Sequence, residues 1–525
     1  MMRSLSSSLL CLIFLSFFLS TSTATTRPVR LPGQPEGDGI ELFAGYTSFK
    51  ERGSTTHSFH LLARREGEWK EQPLVLWLTG GPGCSSLFGA FTENGPYRLS
   101  GTNASHQTVE VHSQTWAQSA SMLYVESPPG VGFSYRNDGN YTYGDDTTAE
   151  SNFLFVKTFF EENEEYRHRP FFVAGESYAG HYVPQLVAKI VESNAAGHTS
   201  IPLSGMMAGN PSTDGESDST SFVPFTSSHG LASSGQVQAV LAACNGTYRQ
   251  TGSKPCVAAF TSILDSMGPV NPYDIYSKCY GQSGHGGCFT TSMLADRRRE
   301  GGRGGERGGE VEVEVEYTPY GGMPSALLSA SSPLPPSSHS HTHVRSQTFI
   351  PCLNNIVGPS STYFNRDDVQ LALGVKGGVG KKGEEWVACS PYLTYNQYAP
   401  SVLPLYESFI QITDLRILVY SGDVDNCVPW IATQSALDKM GLPITTPWHF
   451  WSTTSGSVAR DRGERGVGKV KEGGENTAEQ VAGYAKTYAK NLTYATVKGA
   501  GHLVPYFKPD AAFFMFDTFM KGGDL

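Results

Sequence analysis

Residues 171–180 read FFVAGESYAG, and the fold turns on this stretch. Phe171 to Ala174 make a short apolar run of the kind that forms a buried strand, and YVPQLVAKIV (182–191) continues with apolar residues at helical spacing. Between the two sits Ser177, flanked by the small residues Gly175, Ala179 and Gly180. A serine on a tight strand-to-helix turn needs such neighbours because the backbone there is crowded. The turn lifts its hydroxyl to the top of a sheet, at the positive end of a helix. Ala179 stands where the strict G-x-S-x-G pattern has its second glycine. A working nucleophile also requires a base, an acid and an oxyanion site from elsewhere in the chain.

Outward from the turn, other apolar runs end in glycine or polar residues: Leu74 to Leu78, Met122 to Val125, Ile417 to Tyr420 and Tyr494 to Val497. Helical patterns lie between them, at Ala149 to Glu161 and Val183 to Glu192. The alternation predicts an α/β protein with a mostly parallel sheet covered on both faces. Ligands of such sheets sit beyond the carboxyl ends of the strands. RILVYSGDVDNCVP (416–429) sets Asp423 and Asp425 just past one strand, and KGAGHLVP (498–505) sets His502 on a glycine-lined turn after another. The chain order serine, aspartate, histidine is the one used by α/β-hydrolases. His502 would accept the serine proton, and an aspartate would hold the imidazole tautomer and stabilise its cation. Upstream, LTGGPGCSS (78–86) can turn backbone N–H groups outward, which a glycine-rich loop does without steric cost. It predicts an oxyanion site made of the Gly81 N–H and the N–H of Tyr178, the residue after the serine. No Gly-Lys-Ser/Thr follows, so the loop is not read as a phosphate cradle.

The 525 residues carry a formal net charge of −10, which argues against a general nucleic-acid binder. Arg297, Arg298 and Arg299 fall in a glycine-rich stretch and read as a solvated linker. Arg3, the apolar run Leu9 to Leu19 and the small residues Ser22, Thr23 and Ala24 read as a secretory signal over residues 1–24. No later segment offers about 18 uninterrupted apolar residues, so a soluble luminal or secreted protein without a membrane span is expected. Sequons at Asn103, Asn140, Asn245 and Asn491 agree with that route. With Cys11 inside the signal, eight cysteines remain: 84, 244, 256, 279, 288, 352, 389 and 427. An even number in an oxidising compartment favours disulfides over metal ligation, and spacing alone does not choose a connectivity. Residues 297–346 and 453–478 are poor in large apolar residues and are expected to lie outside the packed core. The alternation of His339, His341 and His343 has no carboxylate or cysteine at ligand spacing, so no metal site is predicted.

WLTGGPGCSS (77–86), ESPPGVGFSY (126–135), GESYAGHYVP (175–184), SGDVDNCVP (421–429) and KGAGHLVP (498–505), in this order, resemble the serine carboxypeptidase family. ELFAGY (41–46), YFNRDDVQLAL (363–373) and WVACS (386–390) match as well. The resemblance covers the mature chain apart from the two low-complexity stretches. It implies an α/β-hydrolase fold with a central, mostly parallel sheet and a disulfide-stapled insertion (cap) subdomain. The core would run over 25–211 and 353–525, with the insertion at 212–352. The implied activity is release of single residues from the C-termini of peptides and proteins, through an acyl-enzyme and favoured at acidic pH. No cofactor is implied, and the chain would be a monomer or homodimer. It would act in the secretory pathway, a vacuole or lysosome-like compartment, or outside the cell.

By the same resemblance Ser177 is the nucleophile, His502 the base and Asp425 the acid, with Asp423 structural. Glu176 and Glu93, together with Thr79, Gly80 and Trp77, would hold the substrate's terminal carboxylate. Two carboxyls forced together away from water cannot both ionise readily, and the protonated one can donate to a carboxylate. Thr79 departs from the family's peptidases, which usually carry asparagine there; threonine is shorter and offers one hydroxyl donor. It is similar in this to the acyltransferase branch, which moves acyl groups from activated esters to alcohols, although that branch tends to carry aspartate in place of Glu176. An acyltransferase and a catalytically silent binding member are therefore the alternative functions. The implied disulfides are Cys84–Cys352, Cys244–Cys256, Cys279–Cys288 and Cys389–Cys427.

Overall fold

The computed structural model describes residues 26–279 and 352–525, except 102, 104–105, 353, 376–384, 396–398, 413, 455–478 and 490. The expected signal, Cys288, the stretch 297–346 and most of 453–478 lie outside the described residues. A twelve-stranded sheet organises the chain. Its longer strands are β1 (Arg27–Val29), β2 (Ile40–Glu51), β3 (Ser54–Arg65), β4 (Leu74–Thr79), β5 (Ser121–Val125), β6 (Phe171–Glu176), β7 (Leu203–Gly209), β8 (Arg416–Gly422), β9 (Ile444–Thr454), β10 (Glu479–Tyr488) and β11 (Leu492–Val497). They lie side by side in the order β1-β2-β3-β5-β4-β6-β7-β8-β11-β10-β9, and the short strand Tyr135–Arg136 pairs with β3. The six strands from β5 to β11 in that order are parallel, and both flanks are antiparallel.

All five apolar runs read from the sequence are strands of this parallel centre. Every residue of β4, β5 and β6 is buried, as expected of strands covered on both faces. Successive side chains of a strand point to opposite faces. In β4, accordingly, Val75 and Trp77 join a core with Trp116 and Phe516, while Leu74, Leu76 and Leu78 join a second with Phe159 and Val183. The helices α1 (Ser86–Thr92), α2 (Asp145–Glu162) and α3 (Ala179–Ala195) follow β4, β5 and β6 in the chain. The long hairpin β2–β3 and the edge pair β9–β10 were not anticipated, because their antiparallel pairing leaves no βαβ rhythm.

After β7 the chain enters α4 (Gly215–Ser228), α5 (Ser234–Ala243) and α6 (Lys254–Met267), which pack Phe222, Val240, Phe260 and Ile263 around the Cys244–Cys256 disulfide in a core of their own. That pairing agrees with expectation; the others do not. Cys84 bonds Cys389, not Cys352, because the WVACS segment lies along the glycine loop as an antiparallel bridge. Ser85 N donates to Ala388 O at 2.7 Å and Ser390 N to Gly83 O at 2.9 Å. Cys279 bonds Cys352, not Cys288. Cys427 is disulfide-bonded, and since Cys389 is taken by Cys84 the expected Cys389–Cys427 pair is also corrected.

Candidate active site

Ser177 follows β6 directly and has φ +66°, a left-handed conformation that costs a non-glycine residue energy and persists only when the surroundings dictate it. Here they do: Ser177 N donates to Gly209 O at 3.0 Å, and Ser177 O accepts from Gly180 N and Ser212 N. A side chain at Gly180 would meet Ser212 O at 2.2 Å, and one at Gly175 would meet Leu78 O at 2.5 Å and the Ala179 methyl at 2.6 Å. Gly180 therefore makes the close approach, and Ala179 is tolerated because Gly175 leaves room for its methyl. The glycine loop closes on the same turn. A side chain at Gly80 would come within 2.4 Å of Tyr178 N, so the loop backbone just before Gly81 packs directly on the turn that carries Tyr178 N, the other expected oxyanion donor.

Asp425 and His502 come from the turns after β8 and β11. His502 Nδ1 donates to Asp425 Oδ2 at 2.7 Å, and both side chains are buried. Asp425 also accepts from Asn210 Nδ2 at 2.7 Å, Cys427 N at 2.7 Å and Val428 N at 3.2 Å. That many donors fix the carboxylate in orientation. His502 Nε2 has no partner among the described residues, which leaves it as the nitrogen able to take a proton. Asp423 instead accepts from Gly499 N at 2.6 Å and so holds the histidine turn from outside.

The second group lies on the other side of the elbow. Glu176 is registered beside Thr79 on the neighbouring strand, and Glu93 caps the end of α1. Both carboxyls are fully buried and within hydrogen-bonding reach of each other. Both oxygens of Glu93 and Oε2 of Glu176 accept from no other group among the described residues. Burial raises the pKa of both, and the Glu93 and Asp425 charges push Glu176 further, well above the ordinary carboxylate range. Trp77 is fully buried, edge-on to Trp116 at 5.5 Å, and its Nε1 donates to Thr79 Oγ1 at 3.1 Å. Two residues back along the same strand face, it supports Thr79 from beneath.

A family model described as serine carboxypeptidase matches residues 32–522. The chain belongs to the serine carboxypeptidase family. Among its relatives, serine carboxypeptidase-like 27 of Arabidopsis thaliana is 34% identical over 499 residues, covering 94% of this chain and 91% of that protein. Serine carboxypeptidase 24 of the same plant is 31% identical over 501 residues, covering 94% and 92%. The crystal structure of Kex1Δp, a prohormone-processing carboxypeptidase of Saccharomyces cerevisiae, superposes with a TM-score of 0.63 at 17% identity, covering 94% of this chain and 95% of that one, which shows the shared fold.

Within this serine carboxypeptidase-family chain, two neighbours of the triad were not foreseen. Asn210, at φ +38°, donates to Asp425 and accepts from Gly422 N at 3.1 Å; its signal was the GN pair ending β7. Tyr273 packs edge-on against the His502 ring at 4.6 Å, and its carbonyl accepts from His502 N at 2.7 Å. Nothing in the local sequence marks it, because it reaches the site from a separate loop. Of the sequons, Asn103, Asn140 and Asn245 are exposed, whereas Asn491 is half-buried with its amide donating to Leu415 O. Among the described residues no helix is long and apolar enough to cross a membrane.

Proposed function

We propose that the protein is a serine carboxypeptidase that removes C-terminal residues from peptides and proteins, favoured at acidic pH and acting in a vacuole-like compartment or outside the cell. The observation that carries this reading is the buried Glu93–Glu176 pair beside the serine turn. A raised pKa keeps a proton in the pair, and a protonated carboxyl donates a hydrogen bond to the free carboxylate that only a chain end offers. Ser177 attacks the last peptide bond while His502 takes its proton at Nε2, and Asp425 stabilises the resulting imidazolium. The Gly81 and Tyr178 amides receive the developing oxyanion, each such donor being worth about 3 kcal/mol of transition-state stabilisation. His502 then protonates the leaving amine, the terminal amino acid departs, and water, activated by the same nitrogen, releases the shortened peptide from the acyl-enzyme.

Thr79 favours a second reading, an acyltransferase in which an alcohol replaces that water. Its hydroxyl accepts from Trp77 and has a single proton to offer a carboxylate. A paired assay separates the two. With a blocked dipeptide the protein is expected to release the C-terminal amino acid; with a sugar ester and an alcohol it is expected to form no new ester. Ester formation without peptide cleavage would reverse the assignment. A fluorophosphonate probe that fails to label Ser177 would point to the silent member.

A further inference from the structure

Another buried carboxyl, that of Asp145, opens α2 and gathers donors from two separate parts of the chain. Its Oδ1 accepts from the Tyr178 hydroxyl and from the Tyr395 hydroxyl, both at 2.8 Å. Its Oδ2 accepts from Ala399 N at 2.6 Å, and His181 Nδ1 lies 3.4 Å away. Tyr178 and His181 belong to the serine turn and the first turn of α3, and their rings stack at 4.9 Å. Tyr395 and Ala399 belong to the stretch that continues from WVACS.

That stretch also covers the glycine loop. Cys389 bonds Cys84, Ser390 N donates to Gly83 O, and a side chain at Gly83 would come within 2.7 Å of Leu393 Cδ2. Thr394 and Tyr395 then pair in parallel with Thr142 and Tyr143, just before α2. The two expected oxyanion donors therefore lie on either side of Asp145: Gly81 in the loop beneath the stretch, Tyr178 on the serine turn. Oxyanion donors act by being in place before the charge develops. The turn that carries Tyr178 is strained, with Ser177 at φ +66°, and strained backbone keeps its shape only where its surroundings hold it. A tyrosine stacked along its ring and hydrogen-bonded at its far end has little freedom left at its own amide.

We propose that Asp145 is a positioning residue for the oxyanion site: one buried carboxyl ties the Tyr178 side chain to the stretch bonded to the glycine loop, and so fixes the spacing of the Tyr178 and Gly81 amides. The proposal rests on Ser177 as nucleophile and on those two amides as donors, and is the same for a peptidase and for an acyltransferase.

A nitrophenyl ester and a trifluoromethyl ketone test it. Rates are referred to the fraction of protein that a fluorophosphonate labels, so that unfolded protein does not count. In the ketone adduct Ser177 Oγ bonds the carbonyl carbon, its proton passes to His502 Nε2, and the carbonyl oxygen becomes the oxyanion. Tyr178→Phe removes only the hydroxyl. It is expected to lower kcat for the ester about tenfold with KM unmoved, less than the loss of about a hundredfold or more when a donor is removed outright. Affinity for the ketone falls by the same factor, which a loss of stability alone does not produce. Asp145→Asn sets an amide donor against one of the present donors and is expected to cost about thirtyfold in kcat, and the double variant no more than that. A Tyr178→Phe variant with wild-type kcat and ketone affinity overturns the proposal, and this comparison needs no Asp145 variant to fold. Losses that multiply in the double variant overturn it as well. Wild-type protein left unlabelled by the fluorophosphonate overturns it together with the Ser177 reading. If the ester and ketone results come out as expected while blocked dipeptides are not cleaved, the role of Asp145 stands and the carboxypeptidase reading fails.

Discussion

Around Asp425 every acceptor is used: four donors converge on one carboxylate, and a structural aspartate holds the neighbouring turn. Across the elbow the polar groups are left wanting. Glu93, Glu176, Asn94, Arg98 and the Tyr420 hydroxyl each bury at least one atom with no partner among the described residues beyond the pair's own contact. Burying an unpaired polar group costs about 1–3 kcal/mol, so such a cluster persists where something else supplies the missing bonds. Glu126 makes the contrast sharper. It is equally buried and its pKa rises to about 7, but Ser85, Trp386 and the Phe133 N–H all donate to it, so its oxygens are not left without partners. The Asp425 carboxylate is finished by the protein, leaving His502 Nε2 open for the serine proton, and on the proposed reading the substrate supplies the bonds missing on the carboxyl-pair side.

Three changes test that division. Asp425→Asn removes the anion that holds His502 and is expected to lower kcat about 10⁴-fold on peptide and ester substrates alike. A loss confined to peptides would show that the two sides are not separate. The double variant Glu93→Gln/Glu176→Gln is expected to raise KM for blocked dipeptides roughly tenfold to hundredfold, with ester turnover nearly unchanged. The sign of its pH effect follows from the raised pKa values. The binding-competent protonated form persists above the ordinary glutamate range and is lost as pH rises through the raised value. The pair's contribution to stability is likewise full below the ordinary glutamate pKa and declines above it. The double variant should therefore flatten the alkaline fall in peptide kcat/KM and the decline in urea stability as pH rises above the ordinary glutamate range. An unchanged alkaline fall would remove the pair from substrate binding. The smallest effect belongs to Thr79→Asn, whose amide can accept from Trp77 and donate to a carboxylate together. Peptide KM is expected to drop about threefold to tenfold with kcat unmoved; no change would place the substrate carboxylate away from Thr79.

Much of the core was legible because its signals are local. The strands Phe171–Glu176 and Leu74–Thr79 declare themselves by the unbroken apolar runs Phe171 to Ala174 and Leu74 to Leu78, and the Ser177 turn by its small neighbours. His502 and the pair Asp423 and Asp425 are marked by lying past strand ends, and the family resemblance singles out Asp425. The β2–β3 hairpin carries no such plain signal: its burial alternates only in part, and Ser58 to Ala63 are all buried. Three of the four implied disulfide pairings, all but Cys244–Cys256, differ in the structure for another reason. Cys84 and Cys389 are separated by 305 residues, and only the docking of one loop along another brings them together.

By itself the sequence determined the chemistry available: a serine on a strained turn, an aspartate and a histidine in hydrolase order, and two glutamates at the right motifs. Periodicity and glycine placement suffice for the serine turn and the order of the triad, since both act over a few residues; the glutamates and the choice of Asp425 over Asp423 came from the family resemblance. Only the tertiary structure decided who touches whom. It put Asn210 on Asp425, Trp77 beneath Thr79, Cys84 on Cys389 and Arg98 beside Glu93. Such pairings depend on how distant loops converge beyond the sheet, and burial then sets the proton affinities of the groups they enclose. No stretch of chain carries that information alone.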